Sequence, residues 1–327
     1  MMSDRVRIGS RGSALALWQA RWVQEELRKR FNNLDVIIQV IKTKGDKILD
    51  SPLSKIGDKG LFTREIEQAL LDGKIDLAVH SLKDLPTELP DGLTIGAVCK
   101  REDVRDVFIP HPRNPNHSLF AQPSGAKIAT GSLRRKCQLL NLRPDFEIID
   151  IRGNLNTRLE KLGKSDWSGT ILARAGVVRL GWETRIGETI STSVLLPAVG
   201  QGALAIETRA EDKKIGEIVS ELHHAQTARA VLAERALLRT LEGGCQVPIG
   251  TCARVKRQDD RDELFLDAII GSVDGRKIVR GKIHGSVDEA ETLGEKLART
   301  LLNSGADAIL RQIRDQVPRL VSEQVGV

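Results

Sequence analysis

Short apolar runs alternate with amphipathic helical patterns through the first two-thirds of the chain, and this alternation constrains the fold most. A helix predicted after Ser13 places Leu15, Trp18 and Trp22 on one face, and a second, from about 62 to 71, is closed by Gly73. The pattern is typical of β-α-β units with a largely parallel sheet, so we predict an α/β fold. The candidate strands are 6–9, 36–41, 75–79, 94–98, 127–130, 146–151, 170–173 and 203–207.

The pattern changes beyond about residue 222. A long helix is predicted over 225–241, and strands over 263–270 and 277–284 flank an Asp-Gly pair at 274–275 that favours a hairpin. A helix with apolar residues on one stripe follows from Ala290, so residues 221–327 are predicted to form a small C-terminal α+β domain.

Two irregular stretches, 100–106 and 195–203, interrupt the α/β part of the sequence. We interpret them as crossings between two lobes. The first α/β lobe would then be discontinuous, with residues 1–99 and 200–220, and the second would comprise 100–199. A crevice between such lobes is where an anionic ligand is expected.

Composition narrows the classes of function. Hydrophobic residues make up 40% of the chain but aromatic residues only 3%, so aliphatic side chains should fill the cores. The formal charge is +6, which favours anionic partners. Because so few aromatic side chains are available to stack on bases, and no recognised binding motif accompanies the basic residues, no nucleic-acid partner is expected.

The sequence also lacks several recognisable signals. No apolar run approaches the roughly 20 residues of a membrane span, and the first residues do not resemble a signal peptide, so we expect a cytoplasmic protein without a membrane partner. Four scattered cysteines (99, 137, 245 and 252) predict reduced thiols. Metal-binding and phosphate-loop motifs are missing, so no metal is implied. No stretch demands a dimer, and a monomer is expected.

Basic residues concentrate in one region. Residues 127–158 hold seven basic and three acidic side chains. Ser132 is a candidate N-cap of a helix with Arg134 and Arg135 in its first turn, where a cation costs about 0.3 to 1 kcal/mol unless an anion compensates. A bound carboxylate or phosphate would compensate, although pairing with nearby acids or exposure to solvent is the alternative.

Other basic residues repeat this placement at the ends of predicted strands. Arg11 and Arg152 lie just after predicted strands and Arg158 lies within the helix that follows Arg152. They are therefore expected to converge on one crevice edge, where the planar guanidinium suits carboxylates. Ser81, Lys83 and Asp84 follow another strand. Asp84 is expected near the crevice, with a surface Lys-Asp pair or a turn-forming Asp as an equally good reading of this segment.

Two loops complete the candidate site. Cys245 follows two glycines after the long helix, so its loop should be accessible. A cysteine is more often a small buried hydrophobe, and a helix C-terminus raises a thiol pKa, which disfavours repeated nucleophilic use but not a permanent thioether. Lys55 and Lys59 lie in the long polar connection from 43 to 60, which is either functional or a solvated charge cluster.

Seven motifs in register resemble the porphobilinogen deaminase (hydroxymethylbilane synthase) family from about residue 5 to 250. They are RIGSRGSALALWQA, KGLFTREIE, VHSLKDLPTELP, TGSLRR, RGNLNTRL, LPAVGQGALAIE and LEGGCQVPIG. The resemblance implies two lobes similar to type II periplasmic binding proteins plus the small C-terminal domain. It also implies a transferase of tetrapyrrole and heme biosynthesis, which condenses four porphobilinogen molecules head to tail, releases ammonia each time, and frees hydroxymethylbilane by hydrolysis.

The resemblance assigns roles to individual residues. It implies a dipyrromethane cofactor joined by a thioether to Cys245, and a catalytic Asp84 that promotes departure of the amino group. Lys83, Ser132, Arg134 and Arg135 would bind the carboxylates of the cofactor. Substrate or the growing chain would be bound by Arg11, Ser13, Ser81, Arg152, Arg158 and Arg179, with Lys55 and Lys59 on a loop over the site.

Two positions depart from the family pattern, and one rival function fits the same crevice. Gly131 replaces a frequent hydroxyl residue, which removes one side-chain hydrogen bond, and Arg174 stands where a small residue is usual, which leaves the local packing open. The rival is a two-lobed anion-binding protein without catalysis, and Cys245 discriminates between the two because a binding module needs no covalent pyrrole.

Overall fold

A computed structural model describes residues 5–47, 62–114, 116, 118–241, 247–258 and 261–322. It contains two five-stranded sheets and one three-stranded sheet, with helices packed on them. The α/β fold with two sheet lobes and a small C-terminal sheet domain is therefore confirmed.

The first sheet has the strand order β2-β1-β3-β10-β4. Its parallel part pairs β1 with β2 and β3, but β10 runs antiparallel to both of its neighbours, so the expectation of a largely parallel sheet is wrong on this side. Aliphatic side chains of α1 and the strands form its core, including Ile8, Val23 and Ile206. The elements are β1 Arg5–Ser10, α1 Ala14–Arg30, β2 Asp35–Val40, the single turn α2 Lys44–Lys47, α3 Arg64–Leu71, β3 Leu77–Ser81, β4 Leu93–Val98, β10 Leu204–Arg209 and α7 Lys213–Ser220.

The second sheet has the order β7-β6-β8-β5-β9 and repeats this mixed arrangement, with β5 antiparallel to β8 and β9. Phe108 and Phe146 are its buried rings in an otherwise aliphatic core. The elements are β5 Asp106–Pro110, β6 Lys127–Ala129, α4 Leu133–Leu142, β7 Glu147–Ile149, α5 Leu155–Lys164, β8 Gly169–Ala173, α6 Arg174–Arg179 and β9 Glu188–Ile190.

The chain passes between these two sheets twice. The first passage follows β4 and precedes β5, and the second follows β9 and precedes β10. Both lie where the irregular stretches 100–106 and 195–203 predicted crossings, except that Asp106 is already the first residue of β5.

The third sheet, β11-β12-β13, is antiparallel and is covered by α8 and α9 through a core that includes Leu237, Leu266 and Leu297. The predicted hairpin turn is present, and Gly275 adopts the left-handed φ of 73° that favours glycine there. The elements are α8 Ala225–Thr240, β11 Ile249–Gln258, β12 Arg261–Gly271, β13 Ile278–Ser286, α9 Ala290–Leu301 and α10 Asp307–Ser322. Among the described residues, none of the helices combines the length and the apolar composition that a membrane-spanning segment requires.

Candidate active site

A cleft of about 310 Å³ lies between the first two lobes and is lined by residues of both. β1 leads into it through Arg11 and Ser13, whose Oγ caps α1 by accepting a hydrogen bond from the Ala16 N–H at 3.3 Å. Nine of the predicted site residues line this cleft. They are Arg11, Ser13, Ser81, Lys83, Asp84, Arg135, Arg152, Arg158 and Arg179.

Asp84 reaches the cleft from a tight turn at the end of β3. The strand continues through Ser81, two residues further than predicted, and a single 3₁₀ turn over Leu82–Asp84 follows at once. Asp84 is exposed and Lys83 is half-buried, and both line the cleft. The turn therefore presents one carboxylate and one ammonium group side by side.

Positive charge dominates the lining. Among the described residues it contains six cationic side chains, Arg11, Lys83, Arg135, Arg152, Arg158 and Arg179, against the single carboxylate of Asp84. Burial and the neighbouring Arg135 lower the pKa of Arg158 to about 10, so its guanidinium stays charged at neutral pH. A cleft with this surplus favours a ligand that carries several negative charges.

Backbone carbonyls orient several of these guanidinium groups. Arg158 Nε donates to the Gly153 carbonyl at 2.9 Å, and Arg179 Nη2 donates to the Gly202 carbonyl at 2.7 Å. Arg135 Nη1 donates to the Ile171 carbonyl at 2.8 Å. Because a carbonyl fixes a guanidinium without neutralising it, Arg158 and Arg179 keep their charge for an anionic ligand.

The helix-terminus argument for Arg134 and Arg135 needs correction. Both arginines donate to the buried carboxylate of Asp106, Arg134 to Oδ2 and Arg135 to Oδ1, each at 2.8 Å. Gln201 Nε2 also donates to Oδ1, at 2.9 Å, and the two arginines hold the pKa of Asp106 well below its usual range. The protein itself supplies the compensating anion, so the unfavourable placement does not by itself demand a ligand.

Two predicted cofactor residues lie outside the lining of this cleft. Arg134 is buried against Asp106 and the Leu196 carbonyl, and Ser132 makes no capping hydrogen bond to α4 through its side chain. Arg134 therefore lies behind the cleft lining and shares the buried carboxylate of Asp106 with Arg135. Asp106, which links both arginines, was missed because it lies 28 residues from Arg134 in the sequence, within a charged stretch that gave no strand signal.

Comparison with known proteins decides the family. Residues 6–217 match the family model "Porphobilinogen deaminase, dipyromethane cofactor binding domain", and residues 228–303 match "Porphobilinogen deaminase, C-terminal domain". The chain belongs to the porphobilinogen deaminase family. The porphobilinogen deaminase of Carboxydothermus hydrogenoformans is 51% identical over 314 residues, which cover 96% of this chain and 98% of the relative. That of Desulfitobacterium hafniense is 52% identical over 309 residues, covering 94% and 97%.

Similarity to solved structures is distant. The periplasmic VFT2 domain of Bordetella pertussis BvgS aligns with a TM-score of 0.40 at 13% identity, covering 67% of this chain and 86% of that domain. The periplasmic aliphatic sulphonate binding protein SsuA of Escherichia coli aligns with a TM-score of 0.38 at 13% identity, covering 73% and 71%.

The cleft fits the dipyrromethane cofactor of the porphobilinogen deaminase family. Its pyrrole rings carry carboxylate side chains, and the lining offers Lys83 and Arg135 next to Asp84. The Nε atoms of Arg135 and Arg152 are buried and have no hydrogen-bond partner in the described structure. Buried donors are normally satisfied, so a ligand carboxylate at these arginines would remove an unfavourable feature.

Cys245, Lys55 and Lys59 lie outside the described residues. The other three cysteines of the chain are all buried. Burial raises the pKa of Cys99 and Cys137 to about 12 and that of Cys252 to about 11, which makes them poor nucleophiles at neutral pH.

The two departures from the family pattern are accommodated locally. A Cβ at Gly131 would lie 2.6 Å from the Ile151 carbonyl oxygen and 2.9 Å from Asp150 Oδ1, so the backbone here is packed for glycine. Arg174 is partly exposed, and its Nε lies 3.5 Å from Asp103 Oδ2. The packing that the sequence left open at Arg174 is thus resolved by an ion pair at the surface.

The pKa of Lys83 yields a pH-dependent prediction. Burial, reinforced by Arg135, lowers it to about 8 from the ordinary 10.5. Between these two values the unfolded chain binds more protons than the folded one, so this group makes the free energy of unfolding rise with pH from about 8 to 10.5. A bound carboxylate would raise the pKa again. We therefore expect affinity for anionic ligands to fall as the pH rises through about 8.

NMR titration of the lysine side chains tests this. In a cofactor-free Cys245→Ser protein, one lysine signal should titrate near pH 8, and Lys83→Met should remove it. Lys127, which is paired with Asp166, serves as the control because its pKa is raised instead. If the signal lost in Lys83→Met titrates at the ordinary 10.5, the pKa argument fails.

Proposed function

We propose that this chain condenses four porphobilinogen molecules head to tail in the cleft and releases hydroxymethylbilane by hydrolysis. The observation that carries the proposal is that the described part of the cleft lining has six cations around a single carboxylate, in a chain of the porphobilinogen deaminase family. Each porphobilinogen ring carries an acetate and a propionate, so a lengthening product adds negative charge with every step. A cleft with such an excess of cations suits that product.

We propose that Cys245 holds the dipyrromethane cofactor through a thioether. The three other cysteines are buried and have raised pKa values, which leaves Cys245 as the candidate. Arg135 and Lys83 would bind cofactor carboxylates in the cleft, with Arg134 and Ser132 as supporting residues of the same helix terminus. When bound, the cofactor supplies the primer pyrrole to which substrate rings are added.

Asp84 is proposed as the catalytic residue. In each condensation the aminomethyl group of the substrate reacts in its protonated form: its carbon–nitrogen bond breaks, and both bonding electrons leave with nitrogen as ammonia. Positive charge is left on the pyrrole and its methylene carbon. That methylene carbon would then form a carbon–carbon bond to the free α-carbon of the last pyrrole of the chain, whose proton is released. Asp84 is the carboxylate of the lining, so it can stabilise that charge while its fixed turn avoids the cost of reorienting a solvent shell.

The remaining cleft residues are proposed to bind the substrate or the growing chain. Arg11, Arg152, Arg158 and Arg179 would pair with acetate and propionate groups, and the hydroxyls of Ser13 and Ser81 would donate hydrogen bonds. Lys55 and Lys59, which lie outside the described residues, are assigned to the same role by resemblance alone. A monomeric, cytoplasmic protein without a nucleic-acid partner stays a prediction.

Product stoichiometry distinguishes this enzyme from an anion-binding module. Purified protein given porphobilinogen should release four ammonia molecules for each linear tetrapyrrole formed, and the ratio should not change with enzyme concentration. Ammonia is measured with a coupled dehydrogenase assay and the tetrapyrrole by absorbance after cyclisation and oxidation. Binding of porphobilinogen without ammonia release would favour the rival function and contradict the proposal.

A further inference from the structure

The turn that carries Asp84 has two different faces. Lys83 and Asp84 line the cleft, whereas Leu82 and Leu85 are 1% and 4% exposed and point the other way. These two leucines belong to a small core with Val231 of α8. The catalytic turn is therefore backed by the helix that ends at Thr240, five residues before Cys245 in the sequence.

Arg235 lies one helical turn after Val231, and its side chain forms hydrogen bonds to the backbone just after Asp84. Its Nη2 donates to the Pro86 carbonyl at 2.7 Å and to the Thr87 carbonyl at 3.1 Å. Residues four apart lie on one face of a helix, so the apolar contact and the hydrogen bonds act together. The segment that follows Asp84 is thereby tied to α8.

Arg235 is an unusual buried cation. Its side chain belongs to a residue that is only 8% exposed. Within the described part of the chain, its hydrogen-bond acceptors are two neutral carbonyls, and no carboxylate lies in ion-pair contact with it. Burial and the nearby charge of Arg239 lower the pKa of Arg235 to about 10, although it stays charged at neutral pH. Burying a cation without a counter-ion is costly, so stability alone does not account for this arginine.

Helix α8 is itself held in place by Glu234, the residue before Arg235. Glu234 is fully buried and accepts hydrogen bonds from both Nη atoms of Arg101, from the Gly200 N–H and from the Ala253 N–H, at 2.7 to 3.0 Å. These partners come from both passages between the lobes and from β11. A helix fixed in this way is a firm base from which Arg235 can hold the turn.

We propose that Arg235 is a positioning residue that holds the Asp84 turn in a fixed position against α8. The proposal rests on the function proposed above. Asp84 must meet the reacting carbon in a narrow range of positions. A turn held by hydrogen bonds from a fixed helix keeps its carboxylate within that range.

Replacing Arg235 with Met separates positioning from stability. Methionine removes the hydrogen bonds and the buried charge but keeps an unbranched side chain of similar length. We expect kcat to fall by roughly 10- to 100-fold, the range that a displacement of about 1 Å can produce, with KM, cofactor content and melting temperature close to those of the parent. Arg229→Met on the same helix is the matched control, because Arg229 is exposed and faces Asp288, and its kcat should not change.

Hydrogen exchange gives a readout that does not depend on turnover. The Leu85 N–H donates to the Leu82 carbonyl at 3.1 Å across the turn. In cofactor-free Cys245→Ser protein, adding Arg235→Met should speed exchange in residues 83–87 and leave helix α5 of the second lobe unchanged. Arg235→Lys keeps the cation and one donor, so its kcat should lie between those of the parent and Arg235→Met.

Each result bears on the proposal. Parental kcat in Arg235→Met, or a lower melting temperature with unchanged kcat per folded molecule, would overturn it, as would failure of both the Met and Lys variants to fold. A parent protein that releases no ammonia from porphobilinogen would refute the proposed function instead, and faster exchange in residues 83–87 would still support the link.

Discussion

Asp84→Asn is expected to fold like the parent and to lose about 100- to 1000-fold in kcat, because preorganised stabilisation of developing charge typically contributes that much. The side chain is exposed on the cleft face of its turn, so a nearly isosteric amide leaves packing undisturbed. An amide can accept or donate hydrogen bonds but carries no negative charge. The cation formed as ammonia leaves is then surrounded by six cationic side chains with no carboxylate in the described lining.

The measurement is the single-turnover rate of ammonia release by protein whose cofactor content has been confirmed. Asp84→Glu keeps the charge but shifts it by one methylene group, so its rate should lie between those of the parent and Asp84→Asn. Asp91→Asn is the matched control, because Asp91 is exposed just before β4 and does not line the cleft. A loaded Asp84→Asn protein within a few-fold of the parental rate would show that Asp84 has no catalytic role.

Cys245→Ser should abolish turnover, because a serine hydroxyl is a much weaker nucleophile than a thiolate and the cofactor would not be attached. The protein should still fold, with a melting temperature close to that of the cofactor-free parent. Cys252→Ala is the control. Cys252 is 1% exposed, so its replacement should lower stability without removing the cofactor. Normal turnover by Cys245→Ser would contradict the assigned attachment point.

Local sequence signals located many of the residues that line the cleft. Arg11 and Arg152 follow strands and Ser81 ends one, and the ends of those strands meet at one cleft, so strand order and spacing sufficed to group them. The hairpin was likewise predictable from its own turn residues, the Asp-Gly pair at 274–275. What these signals could not give was strand direction, since β10 reads the same whether it returns parallel or antiparallel.

Non-local contacts account for what the sequence did not reveal. The charged residues before β5 gave no strand pattern, so neither that strand nor the role of Asp106 was predicted. The arginine donors to Asp106 lie on α4 and reach it only in the folded chain. The unfavourable placement of the Arg134 cation at a helix N-terminus is therefore compensated within the protein by the carboxylate of Asp106. Arg235 was missed for a different reason: it binds backbone carbonyls of Pro86 and Thr87, and a carbonyl leaves no signature in the residue types.

The mass of the intact protein tests the central claim most directly. Protein purified from cells that make ample porphobilinogen should be heavier than its sequence by one dipyrromethane, and peptide mapping should place the adduct on Cys245. The same preparation of Cys245→Ser should have the mass of its sequence alone. An unmodified parent protein, or an adduct on Cys99, Cys137 or Cys252, would contradict the account.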